Sequence, residues 1–116
     1  MASLRDQIKK GSTEILILKL LIDEAMYGYQ IVQELKARSG GYFEMKEGLL
    51  YPTLHRMLKD GLVSSEWQVS DTGRRRKYYK ITAEGLQLLQ DGSAEWQTFM
   101  QQMNDLLGPT PSADLP

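Results

Sequence analysis

The chain contains no cysteine and a single histidine among its 116 residues. Without thiols it has neither a disulfide framework nor a thiolate metal site, and His55 alone cannot form an imidazole cluster for zinc. No run approaches the roughly 18 uninterrupted apolar residues of a membrane span, and charged side chains interrupt the N-terminal segment where a signal peptide would be apolar. We therefore expect a single compact domain in the cytoplasm, with no metal and no cofactor.

Basic residues are absent from the last third of the chain. Residues 81–116 contain five acidic and no basic side chains, residues 46–80 contain eight basic and four acidic ones, and residues 1–45 contain six of each. Because phosphate attraction depends on local charge, the central segment can bind DNA although the net charge is -1, and the acidic C-terminal segment should face away from the duplex. Charge alone is equally consistent with an ordinary solvated face.

Three helices are predicted first. The first begins at Ser12-Thr13-Glu14 and is apolar on nearly all sides from residue 15 to residue 22, so it needs two packing partners, in a later helix or in a second subunit. The second begins near Tyr27-Gly28 and ends at Ser39-Gly40-Gly41, and the third stops at Gly61. The apolar positions that define the second and third helices are Ile31, Val32, Leu35, Leu50, Leu54, Met57 and Leu58.

Two strands follow, at residues 63–69 and 77–81. Their apolar side chains fall on alternate positions, as half-buried antiparallel strands require. These side chains are Val63, Trp67, Val69, Tyr79 and Ile81. The polar turn at residues 70–73 places the basic run Arg74-Arg75-Arg76-Lys77 on or beside the tip of a two-stranded ribbon. Helices followed by such a hairpin predict an α+β, mostly α fold: a winged helix-turn-helix over residues 1–82.

A long C-terminal helix is predicted from Thr82, a helix cap, to about Leu107. Its stripe has the alternating three- and four-residue spacing of a coiled coil, which consists of Leu86, Leu89, Ser93, Trp96, Met100, Met103 and Leu107. Since the preceding domain already accounts for its own core, we interpret residues 83–107 as a dimerisation helix, with all of these positions except Ser93 in the interface. Packing on the helix's own domain is the alternative. Residues 108–116 should form a disordered tail.

The ordered set of motifs from residue 11 to residue 86 resembles the PadR family of transcriptional regulators, in the small subfamily whose C-terminal part is one helix. The matching segments are Gly11-Ser12-Thr13-Glu14-Ile15-Leu16-Ile17-Leu18, Met26-Tyr27-Gly28-Tyr29-Gln30-Ile31, Glu47-Gly48-Leu49-Leu50-Tyr51-Pro52-Thr53-Leu54-His55-Arg56-Met57, Asp60-Gly61-Leu62-Val63 and Gly73-Arg74-Arg75-Arg76-Lys77-Tyr78-Tyr79-Lys80-Ile81-Thr82. The resemblance implies a homodimeric repressor that binds a palindromic operator and releases it when an effector binds.

Predicted DNA contacts follow from placing the third helix in the major groove. Its polar side chains available to base edges are Lys46, Glu47, Tyr51, Thr53, His55 and Arg56, with Pro52 in its first turn. Lys10 and Tyr27 are predicted to contact phosphate. Arg74, Arg76 and Lys77 should bind the backbone or the minor groove, whereas Arg75 should pair with an acidic side chain. An ordinary surface role explains His55 equally well.

An effector pocket is implied around Trp96, because in some members of the resembling family a Trp at this place faces its symmetry mate across a cleft that binds flat aromatic compounds. The predicted lining is Ile8, Gly11, Ile15, Lys19, Ser93, Trp96 and Met100. Small Gly11 and Ser93 would leave space, and Lys19 favours neutral or anionic aromatic compounds. A filled interface, in which Trp96 only holds two subunits together, remains an alternative.

Two other classes of function can be weighed on the residues alone. The chain has no Gly-rich phosphate loop before a helix, and His55 lacks a neighbouring nucleophile and carboxylate, so no enzyme is indicated. A winged helix that binds proteins rather than DNA is the alternative function, since the fold does not dictate the partner. The four adjacent cations at residues 74–77 favour DNA, because a protein-binding wing has no general need of them.

Overall fold

Five helices and three strands make up residues 3–113, the part of the chain that this computed structural model describes, apart from the side chains of Asp6 and Lys10. The elements are α1 (Leu4–Lys10), α2 (Thr13–Leu21), β1 (Met26–Tyr27), α3 (Gly28–Arg38), α4 (Glu47–Lys59), β2 (Val63–Val69), β3 (Arg75–Ile81) and α5 (Ala83–Leu107). The sheet is antiparallel, with strand order β1-β3-β2. The predicted α+β winged helix-turn-helix with a long C-terminal helix is confirmed.

Helix α2 lies at the centre of the core because it is apolar on nearly every side. Ile17 and Leu18 are completely buried. Helix α3 and strand β3 pack against α2, and α5 packs against it as well, so a later helix of the same chain supplies the second partner that its sequence requires. The predicted start of α2 is confirmed, but the Ser12 hydroxyl donates to the Lys9 carbonyl oxygen (2.7 Å) and does not cap the helix.

Helix α1 and strand β1 were absent from the sequence prediction. The apolar side chains of α1, Leu4 and Ile8, are largely exposed, so the helix has no buried stripe to reveal it. Strand β1 has two residues, and it forms only because Met26 and Tyr27 pair with Tyr79 and Tyr78 of β3. This pairing joins the start of α3 to the hairpin.

The hairpin of β2 and β3 forms the wing. Strand β2 spans the predicted residues, whereas β3 begins at Arg75, two residues before the predicted Lys77. Gly73 has φ +82°, a conformation that glycine adopts at little cost, and it closes the turn with its N–H bonded to the Ser70 carbonyl oxygen at 2.8 Å. Arg75, Arg76 and Lys77 therefore lie on a strand and alternate between its faces, and only Arg74 of this run lies in the turn.

The apolar face of the wing is buried only at its base. Val63 and Tyr79 are each 3% exposed, but Trp67 is 59% and Val69 is 67% exposed. The prediction that Trp67 and Val69 are half-buried is therefore wrong. The hairpin extends past the helices that cover its base, so the alternating pattern continues where there is no core to receive it.

Helix α5 begins with the predicted cap: the Thr82 hydroxyl oxygen accepts a hydrogen bond from the Gly85 N–H at 3.0 Å. Gly85 is buried in this first turn, and a Cβ there would lie 2.1 Å from the Leu62 carbonyl oxygen. One and a half turns further, a Cβ on Gly92 would lie 2.3 Å from the Ile15 Cδ1. These two glycines allow α5 to approach the domain closely.

The apolar stripe of α5 is shared between two surroundings. Leu89 is 4% exposed in the core of its own chain, so its predicted place in a dimer interface is wrong. Past Trp96 the helix leaves the domain, which gives the structure a long axis of 65 Å against 28 and 25 Å. The exposed apolar side chains of this projecting part are Phe99, Met100, Met103, Leu106 and Leu107.

Residues 108–113 contain no helix or strand, and residues 114–116 lie outside the described part, so disorder of the tail stays a prediction. No helix of the described residues is both long and apolar enough to cross a membrane.

Candidate nucleic-acid interface

Helix α4 presents one face to the core and the opposite face to solvent. Leu50 and Leu54 are completely buried, which fixes the rotation of the helix about its axis. Tyr51 and His55, one turn apart, are exposed. Glu47 lies in the first turn, where a negative charge is favourable next to the helix N-terminus. The exposed face is therefore polar and unobstructed, as a recognition helix requires.

Pro52 lies in the second turn of α4, since the helix begins at Glu47; its predicted place in the first turn is wrong. Proline has no N–H, so the carbonyl oxygen of Gly48, four residues earlier, lacks its intrahelical donor. Gly48 is exposed, with open space around its Cα. This oxygen is a free acceptor on the face that we expect to meet a base edge.

Three predicted α4 contacts lie elsewhere. Thr53 is 2% exposed and its hydroxyl donates to the Leu49 carbonyl oxygen at 2.7 Å, so it is unavailable to DNA and that prediction is wrong. Arg56 pairs with Glu14 of α2 at 3.0 Å, on the flank of α4 away from the wing. Lys46 precedes the helix on the α1 side of the domain. The Lys10 prediction concerns a side chain outside the described part of the structure.

The start of α3 packs directly against α4. A Cβ on Gly28 would lie 2.8 Å from the Tyr51 Oη, so only glycine lets the Tyr51 ring occupy this place. Burial, and then the nearby Tyr51, raise the pKa of Tyr79, which therefore stays protonated at neutral pH. The aromatic rings of Tyr27 and Tyr78 meet edge to face, with centroids 5.5 Å apart.

Cations of the wing are placed over these aromatic rings. The Arg76 guanidinium lies 4.3 Å from the centre of the Tyr27 ring, and Arg75 lies 5.2 Å from that of Trp67. The predicted acidic partner of Arg75 is therefore replaced by an indole, and no ion pair of Arg75 occurs among the described residues. Cation–π contacts hold these side chains near the strand while leaving their charge uncompensated.

Recognition helix and wing enclose a cleft of about 580 Å³, which we call the wing cleft. Its lining residues are Tyr27, Gly28, Tyr29, Glu47, Tyr51, His55, Trp67, Arg74, Arg75, Arg76, Lys77 and Tyr79. The structure thus brings together seven of the predicted DNA contacts, namely Tyr27, Glu47, Tyr51, His55, Arg74, Arg76 and Lys77. Four cations against one carboxylate suit a phosphate backbone between a helix in the major groove and a wing in the minor groove.

Trp67 and Tyr29 belong to the wing cleft although sequence analysis did not select them. Tyr29 is 55% exposed in the first turn of α3, beside the predicted Tyr27. Trp67 follows three polar residues in β2 and stands opposite Lys77 across the hairpin. A large aromatic residue next to a basic turn was the available signal, and the strand pattern concealed it by suggesting burial.

The predicted effector residues form a contact within one chain only in part. The Trp96 ring lies 3.8 Å from where a Cβ on Gly11 would be, so it covers the space that Gly11 leaves. Trp96 also meets Phe99 edge to face at 5.3 Å. Ile8, Lys19 and Met100 are exposed, whereas Ile15 and Ser93 are half-buried beside the α2–α5 contact. The structure therefore brings Gly11 and Trp96 together, and it leaves Met100 and Ile8 uncovered.

A recognition helix, a basic wing and a cleft between them define a winged helix-turn-helix DNA-binding protein. Comparison with protein families matches residues 17–91 to the transcriptional regulator PadR-like family. The chain belongs to this family of DNA-binding transcriptional regulators, in its small subfamily with one long C-terminal helix, and these regulators are not enzymes.

Individual relatives agree with this assignment. Transcriptional regulator Rv3488 of Mycobacterium tuberculosis is 38% identical over 79 residues, which cover 68% of this chain and 70% of that one. The negative transcriptional regulator PadR of Bacillus subtilis is 27% identical, over 77% of this chain and 49% of its own length. The crystal structure of a PadR-like regulator from Bacillus cereus superposes with a TM-score of 0.78 at 35% identity, covering 90% of this chain and 99% of that one.

Proposed function

We propose that this regulator is a homodimeric repressor that binds an inverted-repeat operator and is released by a small aromatic compound at the dimer interface. The apolar face of α5 beyond Trp96 carries this proposal. Leu106 is 81% and Leu107 is 68% exposed, and Phe99, Met100 and Met103 extend the same face. A row of five large apolar side chains on a projecting helix is expected to be covered by a second subunit.

Twofold symmetry relates the expected dimer to its operator. Two recognition helices in one symmetric dimer meet successive major grooves about 34 Å apart, or a multiple of that distance, so the half-sites should form an inverted repeat. Similarity to a negative regulator supports repression as the outcome. An operator that overlaps a promoter would then be closed to polymerase while the dimer is bound.

Replacing Met103 and Leu107 together by glutamate should convert the dimer to single chains. Each substitution removes about 2 kcal/mol of apolar burial per subunit and adds a charge to the interface, so the dissociation constant of the dimer should rise by at least about a thousandfold. Sedimentation velocity at micromolar concentration measures this change. Thr98→Glu, on the opposite face of the projecting helix, is the matched control and should leave the sedimentation coefficient unchanged. A wild-type protein that sediments as one chain would remove the dimer.

Trp96 is the centre of the proposed effector site. Its ring is half-buried, lies against Gly11 and Phe99, and stands where the covered part of α5 gives way to the exposed part. In a dimer built on this face the two Trp96 rings approach the symmetry axis, where an aromatic compound can stack on an indole. Lys19, exposed on α2, adds a cation that favours neutral or anionic ligands.

Aromatic ligands should quench Trp96 fluorescence. In a Trp67→Phe protein the emission comes from Trp96 alone, because the chain has two tryptophans. Titration with neutral and anionic flat aromatic compounds should quench it with saturation, and the same compounds should release the protein from its own promoter fragment. Saturable quenching without release would argue for a site that does not control DNA binding. A flat response across the panel would remove the effector site while leaving DNA binding intact.

A further inference from the structure

Trp67 occupies a place that a soluble protein seldom gives to tryptophan. It is 59% exposed near the free end of the hairpin, and it lines the wing cleft together with Tyr51 and His55 of the recognition helix. We propose that Trp67 is a DNA-contacting residue whose indole packs on the deoxyribose surface of the backbone strand in the wing cleft. This proposal rests on the DNA-binding site described above.

The register of the hairpin defines the surface around Trp67. Trp67 pairs with Lys77 and Val69 pairs with Arg75, so all four side chains stand on the same face of the ribbon. The same face is the buried one at the base of the hairpin, where Val63 and Tyr79 lie in the core. Beyond the core it becomes an exposed apolar strip, made of Trp67 and Val69 and bordered by the two cations.

This combination matches the chemistry of a nucleic-acid backbone. Along one strand, apolar deoxyribose faces alternate with anionic phosphates, so a contacting surface needs apolar area between cations. The indole supplies the apolar area and its Nε1–H is a donor for a phosphate or sugar oxygen. Lys77 and Arg75 supply the flanking charges. A protein partner is the other occupant that such a strip could receive, but a row of uncompensated cations beside it favours the polyanion.

Arg75 gives Trp67 a second role in the same contact. Its guanidinium lies 5.2 Å from the centre of the indole ring. Stacking on the ring restricts a long side chain that otherwise has many rotamers, and it leaves the guanidinium N–H groups free for phosphate. Trp67 would then both touch the sugar and position the neighbouring cation.

Salt dependence separates a sugar contact from a phosphate contact. Trp67→Ala should weaken binding to a duplex from the protein's own promoter by about tenfold, the size expected for one lost aromatic contact. If the indole touches only sugar, the slope of log K against log salt stays at the wild-type value; if it also positions Arg75, the slope falls by up to about 0.9. Gln68→Ala, the next residue on the opposite face, is the matched control and should change neither quantity.

A spectroscopic measurement tests the contact directly. Protein labelled with 5-fluorotryptophan should give two ¹⁹F resonances, and Trp67→Phe identifies the one from Trp67. Addition of the promoter duplex should shift or broaden this resonance at the stoichiometry of binding. The proposal is overturned if the Trp67 resonance is unmoved by duplex and Trp67→Ala binds like wild type. Should wild-type protein bind no duplex at all, the proposed operator binding itself fails, and the two failures are thus distinguishable.

Discussion

Replacing Arg74, Arg76 and Lys77 together by alanine is expected to lower the affinity for a promoter duplex by about a thousandfold. Each of these side chains lines the wing cleft, and a hydrogen bond to a charged group contributes about 1.5 kcal/mol or more. Three lost phosphate contacts should also reduce the slope of log K against log salt by about 2.7. Titrations from 50 to 200 mM salt, followed by fluorescence anisotropy, give both quantities.

Removing three cations from the α3 end of the domain and the base of the wing is the matched control. Lys36, Arg38 and Lys80 are exposed, and none of them lines the wing cleft. The Lys36→Ala, Arg38→Ala and Lys80→Ala protein has the same net charge as the wing variant, so it corrects for long-range attraction. If both triple variants lose affinity and slope equally, binding depends on overall charge and the wing assignment is wrong.

Gly85→Ala should destabilise the protein by about 3 kcal/mol, although alanine in a helix interior is normally about 1 kcal/mol better than glycine. The reversal of sign comes from packing. A Cβ at position 85 would lie 2.1 Å from the Leu62 carbonyl oxygen and 3.0 Å from Ile81, and a backbone carbonyl cannot move aside as a flexible side chain can. Urea unfolding at a fixed protein concentration measures the free energy of unfolding, which also includes any dimer association.

Gly48→Ala gives the comparison for this prediction. Gly48 lies in α4 with open space around its Cα, so alanine there should be neutral or stabilising by less than about 1 kcal/mol. A Gly85→Ala protein that is as stable as Gly48→Ala would show that α5 does not approach Leu62 as closely as the structure has it.

Local signals predicted much of the secondary structure. The bounds of β2, the Thr82 cap of α5 and the end of α3 at Ser39-Gly40-Gly41 follow from alternation, capping and glycine breaks. Strand β1 could not be found this way, because two residues carry no periodicity and their conformation depends on pairing with Tyr78 and Tyr79. Helix α1 was missed for the related reason that its apolar side chains remain exposed.

The candidate site was predictable where charge carries the signal and less so where burial does. The wing cations were found from composition alone, and the structure places them in one cleft with the α4 residues. Thr53 was misassigned because its place on α4 differs by a small rotation from that of exposed neighbours, and only the packed core shows which side faces inward. Trp67 was missed because the alternation of a strand does not say where its covering layer ends.

Winged-helix architecture and the basic character of the wing are written in the local pattern of residues, because periodicity, turn chemistry and charge each act over a few neighbours. Which side chains meet in the wing cleft, which half of the α5 stripe is covered by its own domain, and which glycines have no room for a methyl group depend on distances between segments far apart in the chain. Contacts of that kind arise from the packing of whole elements, and so they became visible in the folded molecule alone.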